Sequence, residues 1–185
     1  MILFGAQLGL IVEAWMTFTP EISKSLGLEP ISTHKAVLYT YLGITFGDFI
    51  LVALSQILKS RISALRLAHV MGVVLGTYLI FNPPKSEFWY LIWIFVVATF
   101  TTNWGVVVLS CAEKFGTNFR ALATTSLPNF IRASGLLSVE MFRQFYAVYP
   151  FSIALLVIVL WCFVGLSVSV FYKYTFGNDL NYVEK

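Results

Sequence analysis

The stretch CAEKFGTNFRALATTSLPNFIRAS, Cys111 to Ser134, carries Glu113, Lys114, Arg120 and Arg132, together with Pro128, Asn118 and Asn129, in a chain that is otherwise apolar. Its meaning depends on the solvent. Of 185 residues, 58% are hydrophobic, 17% aromatic and 11% charged, and the mean hydropathy is +0.82. A soluble domain carries roughly 25% charged residues, so the solvent of this chain is lipid. Glu113 and Lys114 then close one apolar run, Gly116 to Asn118 supply a turn, and Arg120 opens the next run. The second half of the stretch is already inside the bilayer. There Pro128 removes one backbone donor, which is tolerated where neighbours or cavity water satisfy the freed carbonyl. Asn129 and Arg132, at i and i+3, share a helix face.

Working outward, six apolar runs approach the roughly 20 residues that a helix needs to cross the hydrocarbon core. They are 1–18, 36–58, 65–81, 88–112, 121–141 and 151–172. The breaks hold Pro20 with Gly27 and Pro30, Lys59 to Arg61, Asn82 to Pro84, Gly116 to Asn118, and Pro150. Residues 1–185 therefore read as one six-helix transmembrane bundle, an all-α integral membrane fold. The first run has no basic flank and no small-residue cleavage site, and it contains Glu13, so it reads as a retained membrane segment and not a signal peptide.

An even number of spans puts both termini on one side, and the basic residues say which. With the ends in the cytoplasm, Lys59, Arg61, Arg66, Lys114, Arg120, Lys173 and Lys185 lie inside, against Lys24, Lys35, Lys85 and Arg143 outside. Trp89 and Tyr90, and Tyr146 with Tyr149, fall where an outer aromatic belt is expected. A net charge of +3 with no basic block argues against nucleic acid as a partner. Cys111 and Cys162 have neither CxxC nor Cys/His spacing, which reads as reduced packing residues, with no metal centre or cofactor implied.

Polar residues inside the runs recur with a period of three helices. Gln7 and Glu13 lie in the first, Asp48 in the second, Thr101 to Asn103 in the fourth, and Thr124, Thr125, Asn129 and Arg132 in the fifth. The third and sixth hold little beyond His69, which reads as a hydrogen-bonded structural histidine. His34 reads as a loop residue. The pattern fits a 3+3 inverted repeat whose polar helices line a cavity. At 1.5 Å per residue, Asn103 and Asn129 lie ~14 to 15 Å from the cytoplasmic ends, and Glu13, Asp48 and Arg132 ~18 to 20 Å. Asp48 and Arg132, at equal depth on neighbouring helices, are expected to meet. Gly43 with Gly47 and Gly72 with Gly76 form two GxxxG pairs that permit close helix packing.

The stretch 111–134, preceded by Asn103 and Trp104, resembles the region joining the fourth and fifth helices of the C-terminal half of major facilitator superfamily transporters. A second match is ALSQILKSRISAL, Ala53 to Leu65, similar to the family's loop motif G-x-x-x-D-R-x-G-R in its degenerate second copy. Ala53 stands at the leading Gly, Ile57 at the Asp, and Ser60 and Arg61 at the Gly-Arg positions. The resemblance implies secondary active transport of a small polar metabolite, a sugar or organic acid, by alternating access. It further implies proton coupling, a bacterial inner membrane, and a partner that is either an N-terminal six-helix half or a second copy, the run starting at Met1 having no cytoplasmic flank. Substrate and coupling candidates are Glu13, Asp48, Asn103, Asn129 and Arg132, with Glu13 as the proton-coupling group. Cytoplasmic gating and topology candidates are Ser60, Arg61, Glu113 and Arg120. An intramembrane enzyme is the alternative, but neither GxSxG nor HExxH occurs, so no catalytic residue is assigned. A non-transporting membrane subunit is the third reading.

Overall fold

The computed structural model of the chain describes residues 16–101, 104–115 and 117–171. Among these the only regular structure is helix: α1 at 16–25, α2 Thr33–Ile57, α3 Arg61–Phe81, α4 Glu87–Thr101, α5 Trp104–Lys114, α6 Thr117–Val148 and α7 Phe151–Val170. Among the described residues, three stretches are long and apolar enough to cross a membrane: Thr33–Ile57, Arg61–Phe81 and Glu87–Lys114. The first fifteen residues of the first expected segment lie outside the described residues.

Turn chemistry sets where the helices stop. The first helix was expected to break at Pro20, but it runs on to residue 25, because proline removes one donor and does not by itself end burial of Ile22 and Ser23. It stops at Gly27, whose φ of 76° is left-handed. Gly27 N–H donates to the Lys24 carbonyl and Leu28 N–H to that of Ser23, both at 3.0 Å, which is a Schellman cap. α2 ends the same way on Lys59, at φ 46°, with Lys59 N–H donating to Gln56 and Ser60 N–H to Ser55, each at 3.1 Å. Ser60 then caps α3, its hydroxyl accepting from Ser63 N–H at 3.2 Å. Pro150 precedes α7 as its N-cap residue.

α6 is 32 residues long, well beyond the expected 121–141. At 1.5 Å per residue that is about 48 Å, longer than the roughly 30 Å of a hydrocarbon core. Past the apolar run, Glu140 holds it helical by accepting from Arg143 at 2.8 and 2.9 Å and from Gln144 at 2.9 Å. Pro128 lies within it, one turn after Thr124 and Thr125, whose hydroxyls donate back to the carbonyls of Arg120 and Ala121 at 2.8 Å. His34 falls in the first turn of α2 and not in a loop.

α2 packs most extensively along α4, and α3 along α7. α2 and α4 are parallel: Lys35 and Glu87, near their N-termini, pair at 2.6 Å. The glycines explain the contact. A Cβ at Gly43 would meet the Phe95 carbonyl oxygen at 2.5 Å, and one at Gly47 would collide with the Thr99 carbonyl. Gly76 serves α7 more loosely, its nearest neighbour being the Val159 Cγ2 tip at 2.8 Å. Two apolar clusters result. One joins Phe18, Ile22, Tyr90, Trp93 and Phe142 at the Lys35 end; the other joins Leu51, Leu65, Val106 and Ile131 at the Arg61 end. Tyr90 is therefore core and fully buried, not a belt residue like the exposed Trp89; it points inward because 90, 94 and 97 share the buried face of α4.

Gly47→Ala is expected to destabilise the detergent-solubilised protein by about 1 to 3 kcal/mol, the usual cost of overpacking, because the obstacle is backbone. Gly76→Ala, opposed by a movable valine tip, should cost less. Thermal unfolding followed by near-UV circular dichroism measures both, and equal midpoints for the two variants would contradict the close-contact account.

Candidate functional site

The four residues expected at the cytoplasmic loops are drawn to one end of the bundle. Arg61, the first residue of α3, donates from Nη2 and Nε to Glu113 Oε1 at 2.6 and 3.0 Å. Its Nη1 donates to Ser55 Oγ at 2.7 Å. With the Gln56 amide turned so that its oxygen faces the guanidinium, it accepts from both Nη atoms at 3.1 Å. The two side chains are 5% and 11% exposed, so this is a buried ion pair. Arg120 closes the next corner by donating from Nε to the Ala112 carbonyl at 3.0 Å. Ser60 acts through its hydroxyl, as the α3 cap described above.

The pair is lopsided. Both Arg61 donors reach one carboxylate oxygen, while buried Glu113 Oε2 has no hydrogen-bond partner. An unsatisfied buried acceptor costs about 1 to 3 kcal/mol. The α2–α3 and α5–α6 corners are thus held by an interaction that is strong in low dielectric yet incompletely satisfied. On the same end Arg66 donates from Nη2 to the Ser169 carbonyl at 3.0 Å and from Nε to its hydroxyl at 3.1 Å, tying α3 to the end of α7.

Halfway along the bundle lies a second polar group. Asp48 Oδ1 accepts the backbone N–H of Gly105, the second residue of α5, at 3.0 Å. Arg132 reaches the same turn from α6, its guanidinium carbon 5.6 Å from the centroid of the Trp104 ring. Asp48 and Arg132 do not form the direct ion pair expected from their equal depth; the ion pairs among the described residues are Lys35–Glu87, Arg61–Glu113 and Arg143–Glu140. They meet instead on adjacent residues, Trp104 and Gly105, one through a ring face and one through a backbone amide. Depth along a helix specifies height only, and the azimuth is set by the Gly47 contact, which turns Asp48 towards α5. Asn129 is exposed on the same side of α6 as Arg132. Glu13 and Asn103 lie outside the described residues.

Other assignments resolve simply. His69 is buried with Nδ1 2.7 Å from the Leu65 carbonyl, and both cysteines are free and buried. Two participants escaped the sequence reading, Ser55 and the Gly105 amide. Ser55 follows the apolar face of α2 and carries no charge to draw notice; a backbone amide has no sequence signal beyond the glycine itself. No protein-family model matches the chain, and no curated protein matches it, so the geometry carries the functional argument.

Removing one partner of a buried pair strands the other, at about 3 to 5 kcal/mol. Glu113→Leu and Arg61→Met should each lower stability by an amount of that order, and the double replacement Arg61→Met with Glu113→Leu should recover most of it. Chemical unfolding in detergent gives the double-mutant cycle; additive losses would mean that the two side chains are not coupled.

Proposed function

We propose that the chain acts as the C-terminal half of a secondary active transporter of the major facilitator type. It moves a small polar metabolite, a sugar or organic acid, across a bacterial inner membrane by alternating access coupled to protons, with both termini in the cytoplasm. The observation that carries this reading is the convergence of Asp48 and Arg132 on one turn, Trp104 and Gly105. An isolated charge at mid-bilayer costs at least ~2.5 to 3.5 kcal/mol and is kept where it faces a cavity or a pathway. Gly105 is nine residues from the end of α5 and Asp48 nine from the end of α2, about 14 Å at 1.5 Å per residue. That depth is where transporters of this architecture bind solute and coupling ion.

Two further features support it. The preference of α3 for α7 and of α2 for α4 suits two triplets, 3+3, in which the third helices pack together on the outside. Exposed Asn129 and Arg132 on α6 suit a cavity shared with a second six-helix unit, either an N-terminal half or another copy. In this reading the Arg61–Glu113 pair is the cytoplasmic latch, closed in low dielectric and released when the corners separate.

Solute counterflow into proteoliposomes, screened over sugars and organic acids with the complete transporter, tests the activity; no counterflow with any member of the panel counts against it. Glu13→Gln is expected to retain exchange while losing accumulation driven by a pH gradient, and undiminished accumulation would remove Glu13 from the coupling role. For topology, cysteines replacing Ser60 and Asn118, in a background lacking Cys111 and Cys162, should resist a membrane-impermeant thiol reagent on intact cells and react in inverted vesicles. Rapid labelling of both from outside inverts the orientation.

A further inference from the structure

At the Lys35 end a groove of about 910 Å³ opens between α3 and α4, closed by the 82–85 connection and the 26–28 turn. Its wall residues share one face of each helix: 75 and 78 on α3, continued by 82 in the connection, and 89, 92 and 96 on α4, at i, i+3 and i+7. That spacing is one helix face over seven residues, about 10 Å of depth. Leu75, Ile92 and Val96 line it with carbon and Trp93 adds an indole, while Tyr78, Asn82, Lys85 and Trp89 line it towards the 82–85 connection. Tyr78 and Trp89 are 55% and 61% exposed, with the amphipathic rings that favour the headgroup level of a membrane. Lys35 at this end is neutralised by Glu87. Lys85 is exposed and belongs to none of the ion pairs among the described residues.

We propose that this groove holds an acyl chain of an anionic phospholipid of the adjoining leaflet, with the headgroup at Lys85. The proposal rests on the reading that α3 and α4 cross a bilayer. Leu75, Ile92 and Val96 offer a polar solute no hydrogen bond, so it would lose its hydration along that wall without compensation from them. An acyl chain meets them at no such cost, and the uncompensated lysine at the mouth selects a net negative head over a zwitterionic one.

The experiment reconstitutes the protein in phosphatidylcholine vesicles containing a trace of phosphatidylglycerol or of phosphatidylcholine with a photoreactive diazirine in one acyl chain. After illumination, adducts are mapped by peptide mass spectrometry. Adducts on the peptide containing Ile92 and Val96 should be about fivefold more abundant with the phosphatidylglycerol probe, the preference one lysine near an anionic surface confers. Lys85→Gln should bring the ratio towards one, and Lys85→Arg should preserve it; neither disturbs a packed or paired side chain. Equal labelling by both probes in the unmodified protein, or a preference that survives Lys85→Gln, overturns the lipid site. Labelling by neither probe anywhere in the chain overturns the membrane reading on which it rests.

Discussion

The contact on which the arrangement depends is backbone against backbone, where Gly43 and Gly47 of α2 lie on the carbonyls of Phe95 and Thr99. In lipid, apolar side chains gain nothing from meeting each other rather than solvent, so helices associate where small residues let backbones close in and where polar groups pair. Both conditions hold along α2. Its register against α4 and α5 is pinned at one end by Lys35–Glu87, halfway by Asp48–Gly105, and just beyond the other end by Arg61–Glu113. A single methyl group at position 47 pushes against the middle of this ladder.

That ladder divides the bundle into layers. Each end has an apolar cluster and an ion pair, and Asp48, Gly47 and Gly105 lie between them. The end contacts are side chain to side chain and depend on two residues each. The middle contact is side chain to backbone, so replacing Gly105 by a residue other than proline leaves its donor in place. A Cβ there would nonetheless approach Val52 Cγ2 to 2.8 Å. The middle layer is thus specified more by close approach than by the chemistry of its glycine.

Much of this was legible without coordinates because apolar run length and turn residues report directly on helix positions. Lys59 to Arg61, Asn82 to Pro84 and Pro150 all fall at or beside helix ends. The group at the Arg61 end was legible for a related reason: Ser60, Arg61, Glu113 and Arg120 flank short corners, and short corners at one end of a bundle bring their neighbours together. What failed were inferences needing rotation about a helix axis. The equal heights of Asp48 and Arg132 suggested a pair, yet their contacts are separated by the width of the Trp104 ring and the α5 backbone. Tyr90 was placed by its neighbour Trp89, although consecutive helical residues point about 100° apart. Pro20 and the ends of α6 were misjudged because a helix continues as long as its backbone donors are satisfied, whatever the hydropathy of its side chains.

The parallel run of α2 and α4 has a consequence for synthesis. Parallel neighbours cannot be joined by a tight corner, and α3 must be threaded back between them, so Gly105 is made 57 residues after Asp48. At roughly 5 to 20 residues per second, the ribosome leaves Asp48 without its amide for about 3 to 11 s. On the membrane reading proposed above, the α2 segment enters the bilayer during that interval carrying an uncapped carboxyl group, or is held by the insertion machinery until the later helix arrives. Its long apolar sequence, with a mean hydropathy of 1.8 over the best window, is what makes early entry feasible.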